Sequence, residues 1–118
     1  MKKVMYIAIN KDLNMSEGKI GAHTAHATFD YLLHKHDELS EEFMSYMDFM
    51  NDFKDNGDTI VVLKASEIEM LRWEQEGYVS VRDKGHTEVK PNSLTAVNLG
   101  IYDKDAELPY WLKLLTLL

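Results

Sequence analysis

Four short apolar runs, separated by segments with helical features, limit the folds open to this chain. They are rich in β-branched and aromatic residues and have strand length: KVMYIAIN (3–10), GDTIVVLKAS (57–66), YVSVRD (78–83) and SLTAVNLGIY (93–102). Helical segments between the runs give the order β-α-α-β-α-β-β, followed by a short C-terminal element. Strands joined through helices favour a parallel sheet covered on both faces, and the last pair should be antiparallel because its connection is short. The order predicts the α/β class, as a three-layer α/β/α sandwich with a four-stranded mixed sheet.

Length and composition favour a single domain over residues 1–118. With 118 residues and 45% apolar content, the chain can build one core without a disulfide or a structural metal. The absence of cysteine excludes a thiolate nucleophile and a cysteine zinc site. The start MKKVMYIAINKD is too short and too soon charged for a signal peptide, and no apolar run approaches the roughly 20 residues that span a bilayer. A soluble cytoplasmic protein without a membrane partner is therefore expected.

The acidic charge is confined to one segment. The net charge of −7 would by itself argue against a nucleic-acid partner. Residues 37–58, however, hold one base, Lys54, and eight acids: Asp37, Glu38, Glu41, Glu42, Asp48, Asp52, Asp55 and Asp58. The remaining 12 acids are balanced by 12 bases, because the chain has 20 acids and 13 bases in total. The total charge consequently leaves the partner open.

The segment NMSEGKIGAHTAHATFDYLLHKH, residues 14–36, is predicted to be an amphipathic helix capped by Asn14 or Ser16. At 100° per residue, one arc collects the small and apolar residues that should face the core: Gly21, Ala22, Ala25, Phe29, Leu32 and Leu33. A polar stripe borders that arc and contains Lys19, His23, His26 and Asp30.

Lys19 lies in the first turn of this helix, where the helix dipole and free N–H groups already attract anions. The lysine could contact a phosphate, although a simple solvated lysine explains the pattern equally well. His23 and His26 are three residues apart and could share a ligand, but no HExxH pattern is present and we predict no metal site. The alternative is a helix face that carries neutral imidazoles.

A second polar cluster occurs in VRDKGHTEVKPNS, residues 81–93. Asp83 at a strand end, Gly85 in the turn and Thr87 beyond it place a carboxylate and a hydroxyl on one tight loop. Such an aspartate often hydrogen-bonds its own backbone. It could equally orient water or a hydroxyl, because sites in open α/β sheets form beyond strand ends. The chain has no GxSxG elbow, which argues against a serine hydrolase design.

Together the two clusters resemble the type II peptidyl-tRNA hydrolases. The similarity runs through DLNMSEGKIGAHTAHA, VVLKASEIEMLRWEQEG, VRDKGHTEVKPNSLTAVNLG and the terminal LKLL, and it omits only the acidic second helix. The resemblance implies a four-stranded mixed sheet between helices, a possible homodimer and no metal or organic cofactor. It also implies hydrolysis of the ester that joins a peptide to the 3′ end of tRNA, with peptidyl-tRNA as the partner.

The resemblance also implies the site residues. Lys19, His26, Asp83 and Thr87 match positions of the family motifs and are the expected catalytic residues. Asp83 and Thr87 would position water, Lys19 would stabilise the oxyanion or grip a phosphate, and His26 would hold the pocket or shuttle a proton. Residues expected to bind substrate are His23, His86, Lys84 and Lys90, the two lysines bounding a positive cleft with Lys19.

Three departures from the family pattern bear on activity. This chain has His23 where the family usually has glutamine, His86 where it has arginine, and Glu88 where it has glutamine. If these positions face phosphates, tRNA binding weakens and its salt dependence flattens, except where the histidines are protonated. A catalytically inactive member that acts as a binding or regulatory protein is therefore the alternative function.

Overall fold

The computed structural model describes residues 2–40, 43–85 and 88–118. Its strands are β1 (Lys3–Asn10), β2 (Thr59–Ala65), β3 (Val79–Arg82), β4 (Leu94–Asp103) and β5 (Thr116–Leu117). Its α-helices are α1 (Glu17–Glu38), α2 (Phe43–Asn56), α3 (Glu67–Gln75) and α4 (Tyr110–Lys113), and a 3₁₀ turn (Lys11–Leu13) follows β1. Among the described residues, no helix is long and apolar enough to cross a membrane.

The mixed sheet has the strand order β3-β4-β1-β2-β5. Strands β1 and β2 pair in parallel, whereas the pairs β1/β4, β3/β4 and β2/β5 are antiparallel. The prediction of four strands was wrong, because the C-terminal tail adds a fifth. The short C-terminal element comprises the helix α4 and then β5, which pairs Thr116 and Leu117 with Lys64 and Leu63 of β2.

Two clusters of apolar side chains form the core, and β1 contributes alternate residues to each. Val4, Tyr6 and Ala8 join the cluster that contains Met70 and Trp73 of α3. The intervening residues, Met5, Ile7 and Ile9, join the cluster that contains Ala27 and Tyr31 of α1. Because successive side chains of a strand point to opposite faces, helices pack on both sides of β1. This double coverage explains why seven of the eight β1 residues are buried.

The predicted core face of α1 was wrong. The buried residues are His23, Ala27 and Tyr31, which follow one another at intervals of four. Residues assigned to the core but exposed in the structure are Gly21, Ala22, Ala25, Phe29 and Leu33, whereas Leu32 is half-buried. Relative to the prediction, the helix is turned about its own axis so that His23 faces the core. The core accepts this imidazole because both of its ring nitrogens have hydrogen-bond partners. An apolar arc consequently faces away from the sheet.

Candidate active site

Lys19 and Asp83, which come from the two predicted clusters, form an ion pair. Ser16 caps α1 by accepting the Lys19 backbone N–H at 3.3 Å, so Lys19 lies in the first helical turn. Asp83 directly follows β3 and is only 5% exposed. The Lys19 Nζ and the Asp83 Oδ2 are 2.5 Å apart. The structure therefore brings together the amine and the carboxylate that the sequence placed on different elements.

The other Asp83 oxygen shapes the loop. Oδ1 accepts the backbone N–H of Gly85, as expected for an aspartate that initiates a turn. Gly85 has a φ of +77°, and a Cβ there would overlap the Cα, N and Cγ atoms of Pro91. The expectation that Asp83 hydrogen-bonds its own backbone is therefore confirmed, and the same carboxylate also pairs with Lys19. These contacts, the Lys19 ammonium first and the Gly85 N–H second, hold the pKa of Asp83 below its ordinary value.

His23 is buried beside this pair, with 6% of its surface exposed. Its Nε2 lies 3.0 Å from the Asp83 Oδ2, and its Nδ1 lies 2.6 Å from the Thr95 Oγ1. Burial lowers the pKa of His23, although the nearby Asp83 opposes that shift. In the neutral imidazole, Nε2 carries the proton because its partner can only accept, and Nδ1 accepts from the Thr95 hydroxyl. A chain of hydrogen bonds thus links Thr95, His23 and Asp83.

Thr95 is a site residue that sequence reasoning missed. It lies in β4, is fully buried, and its hydroxyl is also 3.2 Å from the Val81 carbonyl oxygen. Nothing in the run SLTAVNLGIY distinguishes this threonine from an ordinary strand residue. Only the pairing of β3 with β4, which sets Val81 opposite Ala96, brings it to the end of β3 where Asp83 lies.

A pocket of about 530 Å³ opens beside these residues. Its lining includes five residues that the sequence singled out as candidates: Lys19, His23, His26, Asp83 and Lys84. It also includes Asp30, which the sequence placed in the polar stripe with the two histidines, and Phe29, Ser80, Val81 and Arg82, to which the sequence gave no functional role. Lys90 is exposed and lies outside the described lining. His86 and Thr87 fall outside the described residues.

His26 is exposed on the pocket wall, and its ring centroid lies 5.5 Å from that of His23. The two histidines do not share a ligand, because both ring nitrogens of His23 are already engaged by Asp83 and Thr95. Within residues 2–40, 43–85 and 88–118, no group of three metal-ligating side chains is present.

Hydrogen bonds of two further residues, Glu88 and Arg82, hold the loop after β3. The Glu88 carboxylate accepts the Ser16 N–H at 2.9 Å and the Ser16 hydroxyl, and so ties the loop to the start of α1. Arg82 donates to Glu74 through Nε at 2.9 Å and Nη2 at 2.6 Å, and its Nη1 donates to the Asn92 carbonyl at 2.6 Å. The pKa of Glu74 is lowered chiefly by Arg82, and that of Glu88 chiefly by the Ser16 hydroxyl.

Comparisons with known proteins agree with the resemblance stated above. A family model described as peptidyl-tRNA hydrolase PTH2 matches residues 3–117. A peptidyl-tRNA hydrolase of Thermoplasma acidophilum is 31% identical, covering 85% of this chain and 86% of its own length. One from Methanococcus maripaludis strain C7 is 35% identical, covering 80% and 81%, and one from Metallosphaera sedula is 30% identical, covering 81% and 84%. The chain belongs to the peptidyl-tRNA hydrolase PTH2 family.

Proposed function

We propose that this protein hydrolyses the ester bond between a peptide and the 3′ end of tRNA. The observation that carries the proposal is the Lys19–Asp83 pair on the wall of an open pocket, in a chain that matches the family over nearly its whole length. The reaction adds water to the ester carbonyl carbon. The bond from that carbon to the ribose oxygen then breaks, which leaves a free tRNA hydroxyl and a peptide carboxylic acid, and the acid releases its proton to solvent.

Asp83 orients the attacking water rather than removing its proton. Its lowered pKa makes it a weak base, and its oxygens are already held by Lys19, His23 and Gly85, so its position is fixed before substrate binds. The same rigidity suits a hydrogen-bond acceptor for water. Thr87, which follows two residues after Gly85 in the chain, is proposed as the second group that holds this water.

Lys19 supplies positive charge where negative charge develops on the carbonyl oxygen. The ammonium is fixed by Asp83 and by the first turn of α1, so it needs no reorganisation during the reaction. His26, exposed in the same pocket, is proposed to accept the proton of the attacking water and to return it to the departing ribose oxygen. This transfer balances the proton in the ester cleavage.

His23 is proposed as a positioning residue. It is buried, and it contacts the Asp83 Oδ2, whereas the loop contacts Oδ1, while Thr95 fixes its ring. Lys84, Lys90 and His86 are proposed to bind the tRNA backbone; Lys84 lines the pocket, which supports its assignment.

Several broader features of the family belong to the same proposal. We propose one domain over residues 1–118, a cytoplasmic location, a homodimer and hydrolysis without a cofactor. A three-layer sandwich is supported by the two core clusters, because one contains residues of α3 and α4 and the other contains residues of α1.

Release of tRNA from N-blocked aminoacyl-tRNA by the purified protein tests the proposal. We expect turnover by the natural sequence and large losses in Lys19→Ala and Asp83→Ala. Circular dichroism spectra of the two variants establish whether they remain folded. No turnover by the natural sequence anywhere from about pH 5 to 8, where histidine changes charge, would favour the binding or regulatory protein instead.

A further inference from the structure

Phe29 is exposed on the pocket wall although the sequence assigned it to the core. Its exposed fraction is 61%, and it lines the same pocket as Lys19 and Asp83. A single exposed apolar residue is ordinary on a protein surface. Phe29 differs because its ring borders the cavity that holds the proposed reaction site, so substrate bound there meets an aromatic face.

The position of Phe29 along α1 places it beside the reaction site rather than in it. His23, which touches Asp83, precedes Phe29 by six residues, which is about 9 Å along a helix axis. The pocket runs along the helix, because its lining includes Lys19 in the first turn and Asp30 three turns later. A part of the substrate that lies about one nucleoside away from the ester can therefore reach Phe29.

The charges around the pocket nearly cancel. The lining contains three fixed cations, Lys19, Lys84 and Arg82, and two carboxylates, Asp30 and Asp83. Lys19 is paired with Asp83, and Arg82 is paired with Glu74 outside the lining. The fixed charges of the lining therefore leave only a small positive excess, so contacts that do not depend on charge should add to the substrate affinity that phosphate contacts provide. An aromatic ring provides such a contact, because every nucleobase has a face that stacks.

Asp30 adds a hydrogen-bond acceptor to the same lining. It is half-buried and lines the pocket, and its carboxylate forms no hydrogen bond or ion pair with another described residue. A carboxylate accepts from the exocyclic amine of a nucleobase. Phe29 and Asp30 thus contribute an aromatic ring and a hydrogen-bond acceptor to the lining of the same pocket.

We propose that Phe29 and Asp30 form the subsite for the terminal adenine of tRNA, with the base stacked on the Phe29 ring and its 6-amino group donating to the Asp30 carboxylate. The proposal rests on the proposed function, which puts the ester at Lys19 and Asp83. The adenine is favoured over the peptide because the same nucleoside carries the ester in every tRNA, whereas the peptide differs between substrates. A subsite built from fixed side chains suits the constant part of the substrate.

Binding of short RNA oligonucleotides tests the subsite without hydrolysis. One oligonucleotide ends in unpaired CCA and the other lacks the final adenosine. The natural protein should bind the first about ten- to a hundredfold more tightly, the range expected for stacking of one base. Phe29→Leu, which keeps an apolar side chain but removes the aromatic face, should lose this preference, and Phe29→Trp should keep it.

A third oligonucleotide and a matched variant sharpen the test. In the third oligonucleotide, purine, which lacks the 6-amino group, replaces the terminal adenine. This change should weaken binding to the natural protein and leave binding to Asp30→Ala unchanged. Leu33→Ala is the control, because Leu33 is an exposed apolar residue one turn further along α1 and outside the described lining. It should bind all three oligonucleotides as the natural protein does.

The outcomes separate this subsite from the proposed function. Turnover of N-blocked aminoacyl-tRNA by the natural protein, together with an unchanged adenine preference in Phe29→Leu, would overturn the subsite and leave the function intact. Failure of turnover in the natural protein would remove the function. Sedimentation analysis in which Phe29→Leu turns a dimer into a monomer would assign the ring to a second copy of the chain and also overturn the subsite.

Discussion

The Lys19 ammonium lies 2.5 Å from the Asp83 carboxylate, and both side chains are largely shielded from water. Lys19 belongs to α1 and Asp83 to the loop after β3, so the contact fixes the helix against the edge of the sheet. Because each group holds the other in position, we expect them to act as one unit in catalysis.

A double-mutant cycle measures that coupling. Lys19→Met and Asp83→Asn should each lower kcat/KM for N-blocked aminoacyl-tRNA by about 10²- to 10³-fold, the usual effect of removing one preorganised electrostatic group. The double variant should lose little more than either single variant, because residues that act as a unit are not additive. Lys35→Met removes a half-buried lysine that pairs with Glu38 on the same helix, outside the lining of the pocket, and should leave kcat/KM unchanged. A double variant whose loss equals the product of the single losses would contradict the coupled unit.

His23 should make the free energy of unfolding depend on pH. Burial lowers its pKa in the folded state below the unfolded value of about 6.5, so the folded protein favours the neutral ring. This contribution to stability is complete above the unfolded pKa and declines as pH falls through about 6.5 toward the lower folded pKa. In His23→Gln this decline in stability should be absent, because the amide does not titrate. The contacts should remain, because an amide can donate to Asp83 and accept from Thr95.

Urea unfolding of both proteins at several pH values provides the measurement. The difference between the natural protein and His23→Gln cancels the titration of the other acidic groups to first order. Below about pH 6.5, we expect the free energy of unfolding of the natural protein to fall relative to that of His23→Gln. Two curves that stay parallel down to pH 5 would show that burial of His23 has no effect on stability in this range.

Hydrophobic periodicity predicted the element order and the element types, but it misplaced the buried face of α1. The arc of Gly, Ala, Phe and Leu residues has the composition of a core face, yet it is exposed, and His23 lies in the interior. The error arose because an average over side-chain polarity cannot register that one histidine has both nitrogens satisfied by Thr95 and Asp83. The missing β5 has a similar cause, since two residues are too short a run for a strand pattern.

The Lys19 and Asp83 contact could be anticipated only from the resemblance to a family. Neither the start of α1 nor the loop after β3 contains information about the other, because the tertiary fold alone brings them together. Thr95 and Phe29 were missed for the same reason: one looked like an ordinary strand residue and the other like an ordinary core residue.

Gly85 should be essential to the loop that carries Asp83. Its φ of +77° disfavours any other residue, and a Cβ would also overlap Pro91. Gly85→Ala should therefore displace the backbone N–H that Asp83 accepts and lower kcat more than it raises KM. Gly77→Ala is the matched control, because Gly77 also has a positive φ, of +98°, but a Cβ there meets nothing within 4 Å.

Steady-state kinetics and thermal unfolding of the two variants separate the effects. Both should lose some thermal stability from the positive φ, and only Gly85→Ala should lose most of its activity. Equal activity losses in the two variants would mean that backbone strain, and not the geometry of Asp83, explains the Gly85 effect.

The near balance of charge around the pocket should give a shallow dependence of KM on salt. Each phosphate contact to a single strand contributes a slope of about 0.7 in log affinity against log salt concentration. Arg82 lines the pocket, but Glu74 holds its guanidinium through two hydrogen bonds. Glu74→Gln removes that neutralising charge, so the slope should steepen by up to about 0.7. The variant should also unfold slightly more easily, by about 1 kcal/mol, because the pair is partly exposed.

Glu76→Gln is the control for the change in net charge. Glu76 caps the C-terminal end of α3, and among the described contacts of the chain Arg82 pairs with Glu74 and not with Glu76. Its replacement therefore alters the total charge by the same amount without freeing the guanidinium. KM for N-blocked aminoacyl-tRNA is measured over a series of potassium chloride concentrations. The slope of log KM against log salt concentration should steepen in Glu74→Gln and stay unchanged in Glu76→Gln. If both variants steepen equally, the general field of the protein controls tRNA affinity, and the Arg82–Glu74 pair has no specific part in it.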